Sequence, residues 1–219
     1  MTSKAGTGNI LGRAQFILAQ LTARYPNPGT MLNWKTPWEL LCATVLAAQC
    51  TDARVNKVTP EFFRRWPGPA ELAQAPLEEI ENVIHSTGFF RNKAKNLKET
   101  AQKVMDEHGG ETPRTMEELV ELPGVARKTA NIVLSSAYGQ NQGIAVDTHV
   151  RRLAFRLGLT ESDIPPRIEK DLMPLFPQER WGDVNHYLVL LGREVCTARK
   201  PQCHVCPLAT ACPKKGLEG

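Results

Sequence analysis

The 219-residue sequence contains no apolar run approaching the roughly 18 residues that a membrane-spanning helix requires. Its N-terminal apolar stretch, Ile10 to Leu21, is broken by Arg13 and Gln15 and lacks a small-residue cleavage site, so it makes a poor secretory signal. Strand-like alternation is missing too, because no segment alternates apolar and polar residues for long enough to suggest a sheet. Neither a low-complexity linker nor an internal repeat divides the chain. A strong excess of one charge sign is missing, with 27 Lys and Arg against 23 Asp and Glu, and a net +4 with a pI near 8.8 leans only weakly toward an anionic partner. What these absences leave is an intracellular, cytoplasmic, all-α protein with no membrane role. Its 42% hydrophobic and 23% charged content is ordinary for such a domain.

Helical periodicity runs through almost every segment. Ile10, Ala14, Ile17, Leu18 and Leu21 form one stripe, ended by Tyr25-Pro26-Asn27-Pro28-Gly29. Thr36-Pro37-Trp38-Glu39 is a capping box with proline at the first helical position, and it opens an all-round apolar, hence central, helix over Trp38–Ala48. Val55, Val58, Phe62 and Trp66 mark the next helix, closed by Pro67-Gly68-Pro69. A helix from Pro76 carries Ile80, Val83 and Ile84, with Gly88 expected to end it in the left-handed region. Arg91 to His108 follows, with a basic start at Arg91, Lys93, Lys95 and Lys98. Thr115 and Glu118 form a second capping box. Asp147–Leu157, Arg167–Leu175 and Trp181–Val195 complete the set.

Six cysteines in an intracellular protein favour metal ligation over disulfides. Cys42 lies in the apolar helix and reads as a small core residue. Cys196, Cys203, Cys206 and Cys212 are spaced C-x6-C-x2-C-x5-C, with only one close pair. Zinc sites usually show two close pairs, whereas iron–sulfur clusters take four thiolates at more varied spacing, so the chemistry leaves both open. The loop between the first two cysteines holds Arg199 and Lys200, which a rigid metal site would project outward toward a phosphate.

The most telling run is Leu122-Pro123-Gly124-Val125-Ala126-Arg127-Lys128-Thr129-Ala130-Asn131, followed by Ala145-Val146-Asp147-Thr148-His149. It reads as two helices joined by a tight Pro-Gly hairpin, with a lysine in the first turn of the second helix. Unpartnered N–H groups and the helix dipole suit that turn to a phosphate. Ala130, Val133, Leu134 and Ala137 fall on a core face, and Lys128, Asn131 and Ser135 fall on another. A lone helical lysine is ordinarily a solvated surface residue; beside a phosphate site it is positioned for attack, which requires the neutral amine. Asp147, at the head of a helix, is a good N-cap, and a cap can hold one oxygen while the other faces a ligand.

In this order, Leu-Pro-Gly-Val-x-Arg-Lys-Thr-Ala-Asn, Val-Asp-Thr-His and the four-cysteine pattern resemble the endonuclease III family. These are bacterial DNA glycosylases and abasic-site lyases of the helix-hairpin-helix class. The resemblance spans about Trp38 to Cys212 and includes Ala47-Ala48-Gln49-Cys50-Thr51-Asp52. It implies a six-helix domain over 31–141, with the helix-hairpin-helix motif at about 116–137. Residues 1–30 and 142–219 would form a second helical domain with the cluster loop at 196–212, and a DNA groove would lie between the two. Lys128 would be the nucleophile and Asp147 its partner, and the four cysteines would hold a 4Fe–4S cluster. Gln49 and Phe89 would extrude the damaged nucleotide. Backbone at Gly124, Val125, Ala126 and Arg127, with Arg199 and Lys200, would contact DNA. The implied partner is double-stranded DNA bearing a damaged pyrimidine or an abasic site, acted on by a monomer at the nucleoid. Ala126 stands where the family more commonly has glycine, which costs little only if that backbone needs no positive φ. Phe89 is bulkier than the aliphatic residue common at its turn, so Phe89 or Phe90 reads either as a wedge or as core. Two other classes stay in view. Monofunctional glycosylases of this fold typically lack the hairpin lysine, and a non-enzymatic DNA-binding module would need neither Lys128 nor Asp147.

Overall fold

The structure, a computed structural model, describes residues 9–217, and among them are eleven α-helices and no strands. It divides into two compact units, Thr30–Gln140 on the one hand and Met1–Gly29 with Asn141–Gly219 on the other. The domain expected over 1–30 and 142–219 thus begins and ends in residues, 1–8 and 218–219, that lie outside the described ones.

The unit over Thr30–Gln140 is built on α2 (Pro37–Leu46), whose residues are all buried except Pro37 and Glu39. Thr36 accepts the Glu39 amide, while Glu39 takes the Lys35 N–H at 2.6 Å instead of that of the cap itself. Around it stand α3 (Asp52–Arg65), α4 (Pro69–Gln74), α5 (Leu77–Ile84) and α6 (Phe90–His108). Helices α7 (Met116–Val120) and α8 (Arg127–Tyr138) form the hairpin. Leu40, Leu41, Leu46, Phe62, Ile80, Ile84, Leu97, Leu119 and Leu134 are fully buried and make one core. Helix α4 falls where Pro67-Gly68-Pro69 reads as a stop. Pro69 instead occupies the first helical position, and Glu71 accepts the Gly68 N–H at 3.1 Å, so one proline turn closes a helix and opens another.

The second unit packs α1 (Ile10–Arg24), α9 (Thr148–Arg156), α10 (Pro165–Leu172) and α11 (Trp181–Glu194). Ala14, Ile17 and Leu21 of the expected stripe are buried with Val150, Leu153, Ile168, Leu172, Tyr187 and Leu188, whereas Ile10 at the helix start is exposed. The Trp181 indole donates to both Met173 O and Phe176 O, which closes the turn after α10.

Two sequence expectations are corrected. Gly88 has φ 71 and ψ 157, an extended conformation open to glycine, and the left-handed residue is Phe89, at φ 49 and ψ 28. Lys93 does not belong to a solvated basic stripe. It is 5% exposed, and its ammonium donates to Leu46 O at 2.8 Å and Thr87 O at 2.9 Å.

Candidate active site and cysteine centre

The hairpin is set by its glycine. Thr115 caps α7 through the Glu118 amide and also donates its hydroxyl to the Glu118 carboxylate at 2.7 Å. Leu122 and Val125 are buried anchors on either side, joined by Val125 N–H to Leu122 O at 3.0 Å. Between them Gly124 sits at φ +76, where an ideal Cβ would stand 2.6 Å from Asn96 Nδ2. Helix α6 braces the turn from outside: Thr100 Oγ1 donates to Pro123 O at 3.0 Å, and Lys103 donates to Glu121 O. Ala126 has φ −87 and ψ 165, extended backbone that any residue adopts, so alanine there costs nothing. As the N-cap of α8 it offers no side-chain acceptor, which leaves the first-turn amides for an incoming anion.

Gly124→Ala should therefore cost about 1–3 kcal/mol, because a positive φ and a close neighbour act together. Urea denaturation would check this, with Ala126→Gly as the control expected to leave DNA affinity unchanged. Full stability in Gly124→Ala would contradict the assigned turn.

Lys128 is exposed in the first turn of α8, and its ammonium makes no hydrogen bond or ion pair with the described residues. Asn131, placed on the same polar face by spacing, is instead buried at 3% exposure. The polar face is thus narrower than the sequence suggests, and Lys128 marks its outer edge.

Gln49 and Phe89 share an unusual state. Both are exposed, Phe89 by 64%, and both are non-glycine residues at positive φ, 53 and 49. Such conformations each cost on the order of 1–3 kcal/mol and persist where the surroundings over-determine them. Phe89 is therefore not core. Phe90 turns inward instead, its ring 4.4 Å from that of His85.

Asp147 caps α9, and its Oδ1 accepts both the His149 and Val150 amides at 2.8 Å. Its second oxygen makes no such bond, so capping leaves half of the carboxylate available. Next to it, burial pushes the His149 imidazole below its ordinary value, with Arg152 and Arg193 acting in the same direction against Asp147.

Cys196, Cys203, Cys206 and Cys212 are free thiols around one cavity, walled by Leu153, Leu157, Leu191, Val195 and Leu208. Cys212 interacts electrostatically with the other three, and burial raises the thiols of both Cys206 and Cys212. Among the described residues, no three His, Cys, Asp or Glu side chains are gathered as one metal ion would require. Four thiols around an apolar space, with no imidazole or carboxylate among them, fit the four-thiolate ligation of an iron–sulfur cluster. Cys42 and Cys50 belong to the other unit.

The loop that joins the first two ligands is held in place by two arginines of α9. Arg156 donates to Thr197 O at 2.7 Å, Ala198 O at 2.8 Å and the Cys196 sulfur at 3.4 Å. Arg152 donates to Cys196 O and Gly192 O. Sequence reasoning missed both, although their i, i+4 spacing beside Leu153 and Leu157 placed them next to a buried face. At the apex of this loop Arg199 and Lys200 are exposed, and Thr197 Oγ1 fastens Lys200 O at 2.8 Å.

Residues 42–178 match the HhH-GPD superfamily of base excision DNA repair proteins, and residues 196–212 match the iron–sulfur binding domain of endonuclease III. Endonuclease III of Synechocystis sp. is 54% identical, over 92% of each chain. A solved non-covalent complex of an endonuclease III with DNA superposes with a TM-score of 0.88 at 41% identity, covering 98% of this chain and 97% of that one. A trapped covalent intermediate of an endonuclease III with DNA matches at the same TM-score, identity and coverage.

Proposed function

Since the chain belongs to the endonuclease III family of base excision DNA repair proteins, and is a DNA glycosylase and abasic-site lyase, we propose that Lys128 is its nucleophile and Asp147 the carboxylate that assists it. The observation that carries this reading is Lys128 itself, an exposed amine with no hydrogen bond or ion pair among the described residues, at the head of a hairpin helix that no side chain caps. No helix among the described residues is long and apolar enough to cross a membrane.

The substrate is a damaged pyrimidine nucleotide in duplex DNA, and it has to leave the stack before any side chain can reach its sugar. Poorly stacked lesions cost less to extrude, which favours them over normal bases. Gln49 and Phe89 drive the extrusion from their strained, exposed turns, and an aromatic wedge suits Phe89. The neutral Lys128 amine then forms a bond to C1′ as the C1′–N glycosidic bond breaks and the departing base takes up a proton. The free Asp147 oxygen stabilises positive charge as it develops on the sugar. Opening of the sugar ring leaves a protonated imine at C1′. That imine acidifies the C2′ proton, and its loss expels the 3′ phosphate and cuts the strand.

The four cysteines hold the 4Fe–4S cluster of the family, which ties the 196–212 loop together when bound. The chemistry at the sugar is left to Lys128 and Asp147.

Incubation with duplex DNA carrying one oxidised pyrimidine tests this reading. The expected product is a strand cut without alkali, ending in the unsaturated aldehyde of β-elimination. An intact strand that alkali then cuts would mark a monofunctional glycosylase, and an unaltered duplex would mark a binding module.

Arg199 and Lys200 sit on a loop already fastened by Arg156 and Thr197, so little ordering entropy is lost when they meet phosphate. Neutralising both should weaken damaged and undamaged DNA binding alike and flatten the salt dependence by up to about two units of slope. Lys98, whose ammonium already donates to Ala75 O at 2.7 Å, should matter much less. An unchanged slope in the double variant would place the loop off the DNA.

A further inference from the structure

We propose that Lys93 is a positioning residue that joins the two extruding turns, so that Gln49 and Phe89 act as one device. This rests on the role given above to those two residues.

Leu46 ends α2, three residues before Gln49, and Thr87 ends a 3-10 turn, two residues before Phe89. Carbonyls at such helix ends have no following turn to bond them. One buried nitrogen, Lys93 Nζ, supplies a donor to each, at 2.8 and 2.9 Å. The two carbonyls are therefore held across a single atom. The ammonium lies at the C-terminal end of α2, where the helix dipole favours positive charge. This explains how a lysine with no hydrogen-bonded or ion-paired carboxylate among the described residues can be 5% exposed.

The strained residues follow directly from these fixed points. Gln49 and Phe89 both hold left-handed backbone that an unrestrained chain would leave, and each begins within three residues of a carbonyl that Lys93 grips. Two turns further along α6, Thr100 donates to Pro123 O of the hairpin. One helix thus sets the spacing of both extruding turns and braces the hairpin that carries the nucleophile. Lys93 contributes no contact to DNA in this scheme, being enclosed; it acts through the turns.

The experiment compares two substrates in single turnover. Duplex DNA with an oxidised pyrimidine requires extrusion, whereas a single-stranded oligonucleotide with an abasic site does not. For Lys93→Met, which keeps the length of the stem and removes the donors, cleavage of the duplex should fall about a hundredfold relative to the single strand, the loss expected from small misplacement of a reacting assembly. Fluorescence of 2-aminopurine opposite the lesion should show the same loss at the extrusion step. Lys93→Gln, whose shorter amide is uncharged, serves if the methionine variant does not fold, and should shift the ratio in the same direction. Gln49→Ala and Phe89→Ala are measured alongside. If they leave the ratio unchanged, the extruding role of the turns fails and the inference fails with it. If they lower the ratio while both Lys93 variants match the parent protein, Lys93 does not position the turns. An equal fall on both substrates would show a general structural loss and would also overturn the proposal.

Discussion

Replacing Lys128 with alanine is expected to abolish strand cleavage on both damaged and abasic duplex DNA, by about 10⁴-fold or more, the scale of loss when an enzyme's nucleophile is removed. The fold should not register the change. Lys128 is exposed, makes no bond to the described residues, and occupies a helix position that alanine fills well, so stability should move by no more than about 0.5 kcal/mol. DNA affinity should fall only modestly, because the hairpin amides and Arg199 with Lys200 remain. Single-turnover cleavage, a binding titration and a urea melt on the same preparation separate these quantities. A variant that still cuts at a tenth of the parent rate or more would assign the attack to another amine. A variant that loses stability together with activity would make Lys128 a structural residue.

Substituting serine for any one of Cys196, Cys203, Cys206 or Cys212 should remove iron and loosen the unit formed by α1 and α9–α11, while Thr30–Gln140 keeps its protection. A metal site absent from the unfolded chain contributes its binding energy to folding, and for structural zinc this is about 10–16 kcal/mol. A loss of about 5 kcal/mol or more in that unit is therefore expected. The stem of the loop has its own support in Arg156 and Arg152, so the damage should concentrate around Cys203 to Cys212, where few other bonds hold the chain. Iron analysis should give about four atoms per chain in the parent protein. Hydrogen exchange would locate the loosening. Cys50→Ser, in the other unit, is the control and should retain all the iron. Zinc in place of iron in the anaerobically purified parent, or uniform loosening of both units, would contradict the account.

Much of this molecule is legible from residue types because several signals act locally. The Leu122-Pro123-Gly124 turn, the N-cap at Asp147 and the capping threonines 36 and 115 each specify backbone within a few residues, and each stands where its sequence places it. The helix at Pro69 was hidden because proline serves equally as a stop and as a first helical residue. Lys93 was misread for a different reason. Charge predicts exposure unless two orphaned carbonyls happen to converge, and that convergence is a tertiary fact. Gln49 and Phe89 could be marked by resemblance, but not their left-handed backbone, since neither residue type favours it. Asn131 went the same way, a polar residue in register with Lys128 yet turned into the core.

The most direct test of the central claim is to add borohydride to the parent protein mixed with abasic duplex DNA, digest the adduct, and map the modified peptide by mass spectrometry. The predicted result is one covalent DNA adduct per chain, on the Lys128 side chain, with an abasic-free duplex giving none. An adduct on any other amine, or the absence of an adduct under conditions in which the strand is cut, would contradict it.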